Sequence, residues 1–132
     1  MGFTARLKER IRHFAQAVLQ PGERLQIAAL VTVGPATWLD LLLFPLSRTF
    51  LHRPYYAILT DQRFILARPS VFSGAATIEF AEPRGAVRIV HLKEGWRPSL
   101  RLRRPNGAEL ALGFGRAWRE ELRAIADSLA RR

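Results

Sequence analysis

The sequence predicts a mainly β, α+β fold, with about seven short antiparallel strands between two amphipathic helices. Three observations carry that prediction. Tyr55-Tyr56-Ala57-Ile58-Leu59 and Phe64-Ile65-Leu66 are aromatic and aliphatic runs flanking a polar break at Thr60-Asp61-Gln62, which reads as a β-hairpin. Further short strand candidates follow at close intervals, two of them joined by Arg104-Pro105-Asn106-Gly107-Ala108, whose Asn-Gly pair is a strong hairpin signal. Apolar residues recur at helical spacing only near the two ends.

In chain order, Phe3, Leu7, Ile11, Phe14 and Val18 form the apolar stripe of an N-terminal helix over residues 1–19, with Arg6, Lys8, Arg10 and Arg12 opposite. Gln20-Pro21-Gly22-Glu23 ends it. Arg24 to Val33 then reads as a strand that Gly34-Pro35 breaks. Residues 34–54 form an apolar insertion between the first two strands, its body running from Ala36 to Arg53. The uninterrupted run Leu41 to Leu46 is far shorter than the ~18–20 residues of a spanning helix, and Asp40 and Pro45 interrupt the segment.

The Tyr55–Leu66 hairpin comes next, with Thr60 and Asp61 oxygens suited to bonding backbone N–H groups of the turn. Thr77–Phe80, Ala86–Leu92, Ser99–Arg103 and Glu109–Gly113 follow as strands. In Ser99–Arg103, Leu100 and Leu102 face one way and Arg101 and Arg103 the other. Arg116 to Arg132 closes the chain as a helix with Trp118, Leu122, Ile125, Ala126 and Leu129 on one stripe. Such a helix can plug the open end of a sandwich or small barrel.

At 132 residues the chain reads as one domain that buries roughly two-thirds of its unfolded surface. It has no cysteine, which excludes disulfides and thiolate metal sites. His13, His52 and His91 show no ligand spacing, so no metal or cofactor is expected. No carboxylate pair, nucleophile elbow or phosphate loop is present either, which argues against an enzyme. The N-terminus lacks the continuous apolar core of a secretory signal, so a cytoplasmic location is the default expectation.

Charge is the unusual quantity: 21 Lys and Arg stand against 11 Asp and Glu, a net charge of +10. A GC-rich genome is the plain explanation for arginine outnumbering lysine, but it does not explain a net charge this large. Such a field favours anionic partners, acidic phospholipid headgroups or nucleic acid. Aromatics interleaved with basic residues on one sheet face, as RNA-binding sheets use, are not evident, which argues against nucleic acid.

Leu19-Gln20-Pro21-Gly22-Glu23-Arg24 before the first strand, Tyr56-Ala57-Ile58-Leu59-Thr60-Asp61-Gln62-Arg63-Phe64-Ile65-Leu66, and Trp118 opening a last helix after Leu112-Gly113-Phe114 carry a family resemblance. On these residues the chain resembles the bacterial pleckstrin-homology-like domains, particularly the small actinobacterial ones, from about Gln20 to the C-terminus. The resemblance implies residues 20–132 as one domain, a partly open seven-stranded antiparallel barrel capped by a C-terminal helix, without enzymatic activity. The N-terminal helix and the apolar insertion depart from the simplest family pattern.

Two sets of residues are candidates for contact with a partner. Trp38, Leu42, Leu43, Phe44 and Leu46 of the insertion suit a bilayer interface, with Arg48 and Arg53 meeting headgroups; folded back on the barrel, they would be ordinary core. Arg101 and Arg103, with Arg88, Arg97 and Arg104 expected nearby, form a row suited to phosphate oxygens, or simply a solvated face. Arg63 is expected to brace its own hairpin by bonding Asp61 or backbone carbonyls, and Trp96 and Trp118 to be packing residues. The expected function is a binding module at the cytoplasmic face of a membrane. The competing expectation is a protein-interaction or homo-oligomerisation domain, in which the insertion and the N-terminal helix form the interface.

Overall fold

A computed structural model of the chain describes residues 3–35, 54–69, 76–96 and 98–130. The helix α1 (Phe3–Gln16) precedes strands β1 (Leu25–Pro35), β2 (Pro54–Thr60), β3 (Arg63–Pro69) and β4 (Ala76–Pro83). A 3-10 turn at Arg84–Ala86 leads into β5 (Arg88–Lys93), β6 (Ser99–Arg103) and β7 (Glu109–Phe114), and a second at Arg116–Trp118 into α2 (Arg119–Ala130). All seven strands form one antiparallel sheet in the order β4-β3-β2-β1-β7-β6-β5. The sheet does not close, and β4 and β5 are its edges. The expected α+β, mainly β architecture is the one observed.

Strand β1 joins the two halves of the sheet. It pairs with β2 from Leu25 to Thr32 and with β7 from Val31 to Pro35. The expected break at Gly34-Pro35 does not occur, because Gly34 and Pro35 still pair with Ala111 and Leu110. Among the described residues only β7 pairs with β1 at Pro35, and a proline tolerates such a strand end.

Cross-strand register sets two apolar faces. Ala29, Ala57, Leu66 and Phe80 lie on one line across β1–β4, and Val33, Leu112 and Leu100 on another across the second half. These residues are buried with Trp118, Leu122, Ile125 and Leu129 of the C-terminal segment, whose helix packs on β1, β5 and β6. Alternation puts Ala28, Ile58 and Ile65 on the opposite face, yet they too are buried. Helix α1 covers that face: it packs on β1 and β2, Ile11 and Ala15 are buried, and Phe14 meets Tyr56 edge-on at 4.5 Å. Burial on both faces is why β2 and β3 read as continuous apolar runs.

Polar contacts hold these parts in register. The Arg84 guanidinium donates to Gln26 Oε1 at 2.9 Å, to the Thr60 carbonyl at 3.1 Å and to the Ser128 carbonyl in the last turn of α2 at 3.2 Å. Lys8 pairs with Glu121 at 2.8 Å, joining α1 to α2. Arg104, in the β6–β7 turn, reaches Glu82 on β4 at 2.9 Å and lies 4.2 Å over the Phe80 ring. A contact between the β4 edge and the far half of the sheet means the sheet is strongly curled.

Candidate anion-binding face

The Thr60-Asp61-Gln62-Arg63 turn takes part in a buried brace. Glu23, whose side chain is fully buried, accepts from Arg63 Nε and Nη2, both at 2.8 Å. It also accepts from the Thr60 hydroxyl at 2.7 Å and from the Gln20 N–H at 2.9 Å. The Thr60 oxygen in turn accepts the N–H groups of Gln62 at 3.1 Å and Arg63 at 2.8 Å, closing the β2–β3 turn. Arg63, as first cause, holds the Glu23 carboxyl at about 2, well below its ordinary 4.5, although burial pushes the other way. The same pairing raises Arg63 above its ordinary value.

The expected partner of Arg63 was therefore misassigned. It bonds Glu23, 40 residues away, while the Asp61 carboxylate accepts from the Arg24 N–H at 2.9 Å. Within-hairpin spacing could not reveal this, because the acid lies before β1. With both carboxylate oxygens bonded and out of solvent, this cluster is a structural brace.

The second half of the sheet presents a different surface. Arg103 and Arg101 sit two apart on β6, with Leu100 and Leu102 buried on the other side. On β5, Arg88 stands opposite Arg103, His91 opposite Arg101 and Lys93 opposite Ser99. A straight strand would send Arg88 and His91 to opposite faces. A bulge between Ile89 and His91 takes Val90 out of register and shifts the parity by one, so Arg88, His91 and Lys93 share the outer face with Arg101 and Arg103. Arg103 has an exposed ion pair with Glu109 at 3.2 Å, a contact worth little in water that leaves most of the positive field intact. This row suits phosphate oxygens, which arginine takes two at a time.

Beyond Lys93 the chain turns through Glu94-Gly95-Trp96, which α2 and its lead-in hold in place. Arg123 Nε donates to Glu94 at 2.6 Å, Arg119 Nη2 donates to the Gly95 carbonyl at 2.6 Å, and the Arg116 guanidinium stacks 3.6 Å from the Trp96 ring. Trp118 is core, as expected, whereas Trp96 is 76% exposed and is no packing residue. A shallow hollow of about 520 Å³ opens beside it, lined by Leu30, Thr32, Pro98 and Gly113 with Trp96 and Arg116. Gly113 allows the close approach of Thr32 across the β1–β7 pair, since a Cβ there would fall 2.6 Å from Thr32 Oγ1.

Of the expected site residues, the sheet brings Arg88, Arg101 and Arg103 together on one face. Arg104 leaves the row for Glu82 and Phe80. Arg48, Arg53 and Arg97, together with Trp38, Leu42, Leu43, Phe44 and Leu46, lie outside the described residues. His91 and Lys93 were missed because the bulge at Val90 hides their parity, and Arg116 and Trp96 because their contact spans two distant loops. Among the described residues no group of three or more His, Cys, Asp or Glu is placed to hold a metal ion. No helix among them is long and apolar enough to cross a membrane. The chain matches no protein-family model and no curated protein.

Proposed function

We propose that this protein is a non-enzymatic binding module of the pleckstrin-homology-like kind that docks peripherally on an acidic phospholipid surface through the outer face of β5 and β6. The observation that carries the reading is the bulge-shifted register that gathers Arg88, His91, Lys93, Arg101 and Arg103 on one face. The net charge of +10 supplies the long-range attraction, and the row gives it a direction. The strand order and the capping helix support the family resemblance, and the Glu23–Thr60–Arg63 brace gives its most specific motif a structural role.

The competing reading, an interface between proteins or between copies of this chain, draws on α1 and on the insertion, which lies outside the described residues. The apolar stripe of α1 that it requires is packed against β1 and β2 of the same chain. Co-sedimentation with vesicles separates the two readings. The protein is expected to pellet with phosphatidylcholine mixed with phosphatidylglycerol, to stay in solution with phosphatidylcholine alone, and to be released by salt. Equal binding to both kinds of vesicle would overturn the electrostatic reading, and a stable oligomer without lipid would favour the competing one.

A further inference from the structure

Among the described residues the exposed ring of Trp96 has no structural task that accounts for it. Among the described residues the next most exposed large hydrophobic, Ile78, is 43% exposed against 76% for Trp96. The ring nevertheless has a defined place. Arg116 stacks on it at 3.6 Å, Arg119 and Arg123 fix the two preceding residues, and Gly95 turns the chain at φ +139°, a conformation that strains any side chain. An aromatic ring left in water forgoes the hydrophobic gain of burial.

Position supplies the missing purpose. The basic row runs down the β5–β6 hairpin and ends at the Lys93–Ser99 pair, and Trp96 follows at the tip of the same hairpin. A tryptophan is suited to the boundary between headgroups and acyl chains, because its ring is apolar and its N–H remains a donor. Arg116 places a guanidinium against that ring, at the depth where lipid phosphates would lie.

We infer that Trp96 is the interfacial anchor of the protein, entering the headgroup layer of an acidic bilayer while the β5–β6 row meets the phosphates. This inference rests on the proposed membrane function and adds the orientation, with the β5–β6 loop towards the lipid. It also places an apolar contact within the described residues, independent of the insertion.

The test uses the full chain with vesicles of phosphatidylcholine and phosphatidylglycerol. Trp96→Ala is expected to weaken binding about tenfold, the loss that follows from leaving part of an indole ring unburied. Its salt dependence and thermal midpoint should match those of the wild-type chain. Brominated lipids are expected to quench wild-type tryptophan emission and to quench Trp96→Phe clearly less, which separates Trp96 from Trp38. Acid-selective binding that Trp96→Ala leaves within twofold, with quenching unchanged in Trp96→Phe, overturns the anchor alone. A wild-type chain that does not distinguish acidic from neutral vesicles overturns the anchor and the membrane reading together.

Discussion

Glu23 is charged in a place where water cannot stabilise the charge, and its neighbours do so instead. The two Arg63 donors, the Thr60 hydroxyl and the Gln20 N–H hold its carboxyl at about 2 rather than 4.5. A depressed carboxyl stabilises the fold above its unfolded value and loses that contribution as pH falls towards its folded value. The brace therefore contributes fully above pH 4.5 and fades between there and pH 2, with a magnitude of about 3 kcal/mol. Glu23→Gln is expected to lower stability at neutral pH by that amount and to flatten the profile across the same window, as read by denaturant unfolding at a series of pH values. An unchanged slope in the variant would assign the acid sensitivity to other groups. The Thr60-Asp61-Gln62-Arg63 turn was legible in the sequence because turn chemistry is local. Its acid partner was not, because Glu23 reaches it only through the β1–β2 pairing.

At the scale of elements, chain order and periodicity located all seven strands, while the physics between elements moved their details. The stripe of α1 was plain from its spacing, but its target was hidden: nothing in a single strand says that its second face is covered. Ile11, on the sheet-facing side of α1, is 1% exposed, so Ile11→Ala should cost about 3 kcal/mol in unfolding free energy, mostly from the cavity it leaves. An effect below about 1 kcal/mol would mean that α1 is only loosely seated on the sheet. The bulge at Val90 is the other element that the sequence concealed. Without Val90, Arg88-Ile89-His91-Leu92-Lys93 alternates outward and inward throughout. Deletion of Val90 is thus expected to keep the row, and with it vesicle binding to within about threefold, since the same five side chains stay near the surface. Loss of binding on deletion would mean that the bulge itself aims the side chains.

At the scale of the molecule, charge is unevenly used. Strands β1 and β2 bury residues on both faces, one face under α1, while the second half of the sheet leaves the outer face of β5 and β6 basic and open to solvent. The basic composition and the Arg101–Arg103 alternation announced an anionic partner. Where that partner would dock depended on a bulge and on a loop stapled to α2, neither of which leaves a periodic trace. The insertion drew attention in the sequence because apolar runs are conspicuous, whereas a single tryptophan on a hairpin tip is not. A docking face on β5 and β6 makes the location of charge matter beyond its sum, and a pair of charge-matched variants tests this. Arg88→Gln, Arg101→Gln and Arg103→Gln together remove three charges from the row; Arg6→Gln, Arg10→Gln and Arg12→Gln remove three from the exposed side of α1. In co-sedimentation with acidic vesicles, the row variant is expected to bind about 100-fold more weakly, at ~1 kcal/mol per arginine, and the α1 variant less than about tenfold more weakly. Equal losses in the two variants would show that net charge alone attracts the protein and would contradict a docking face on β5 and β6.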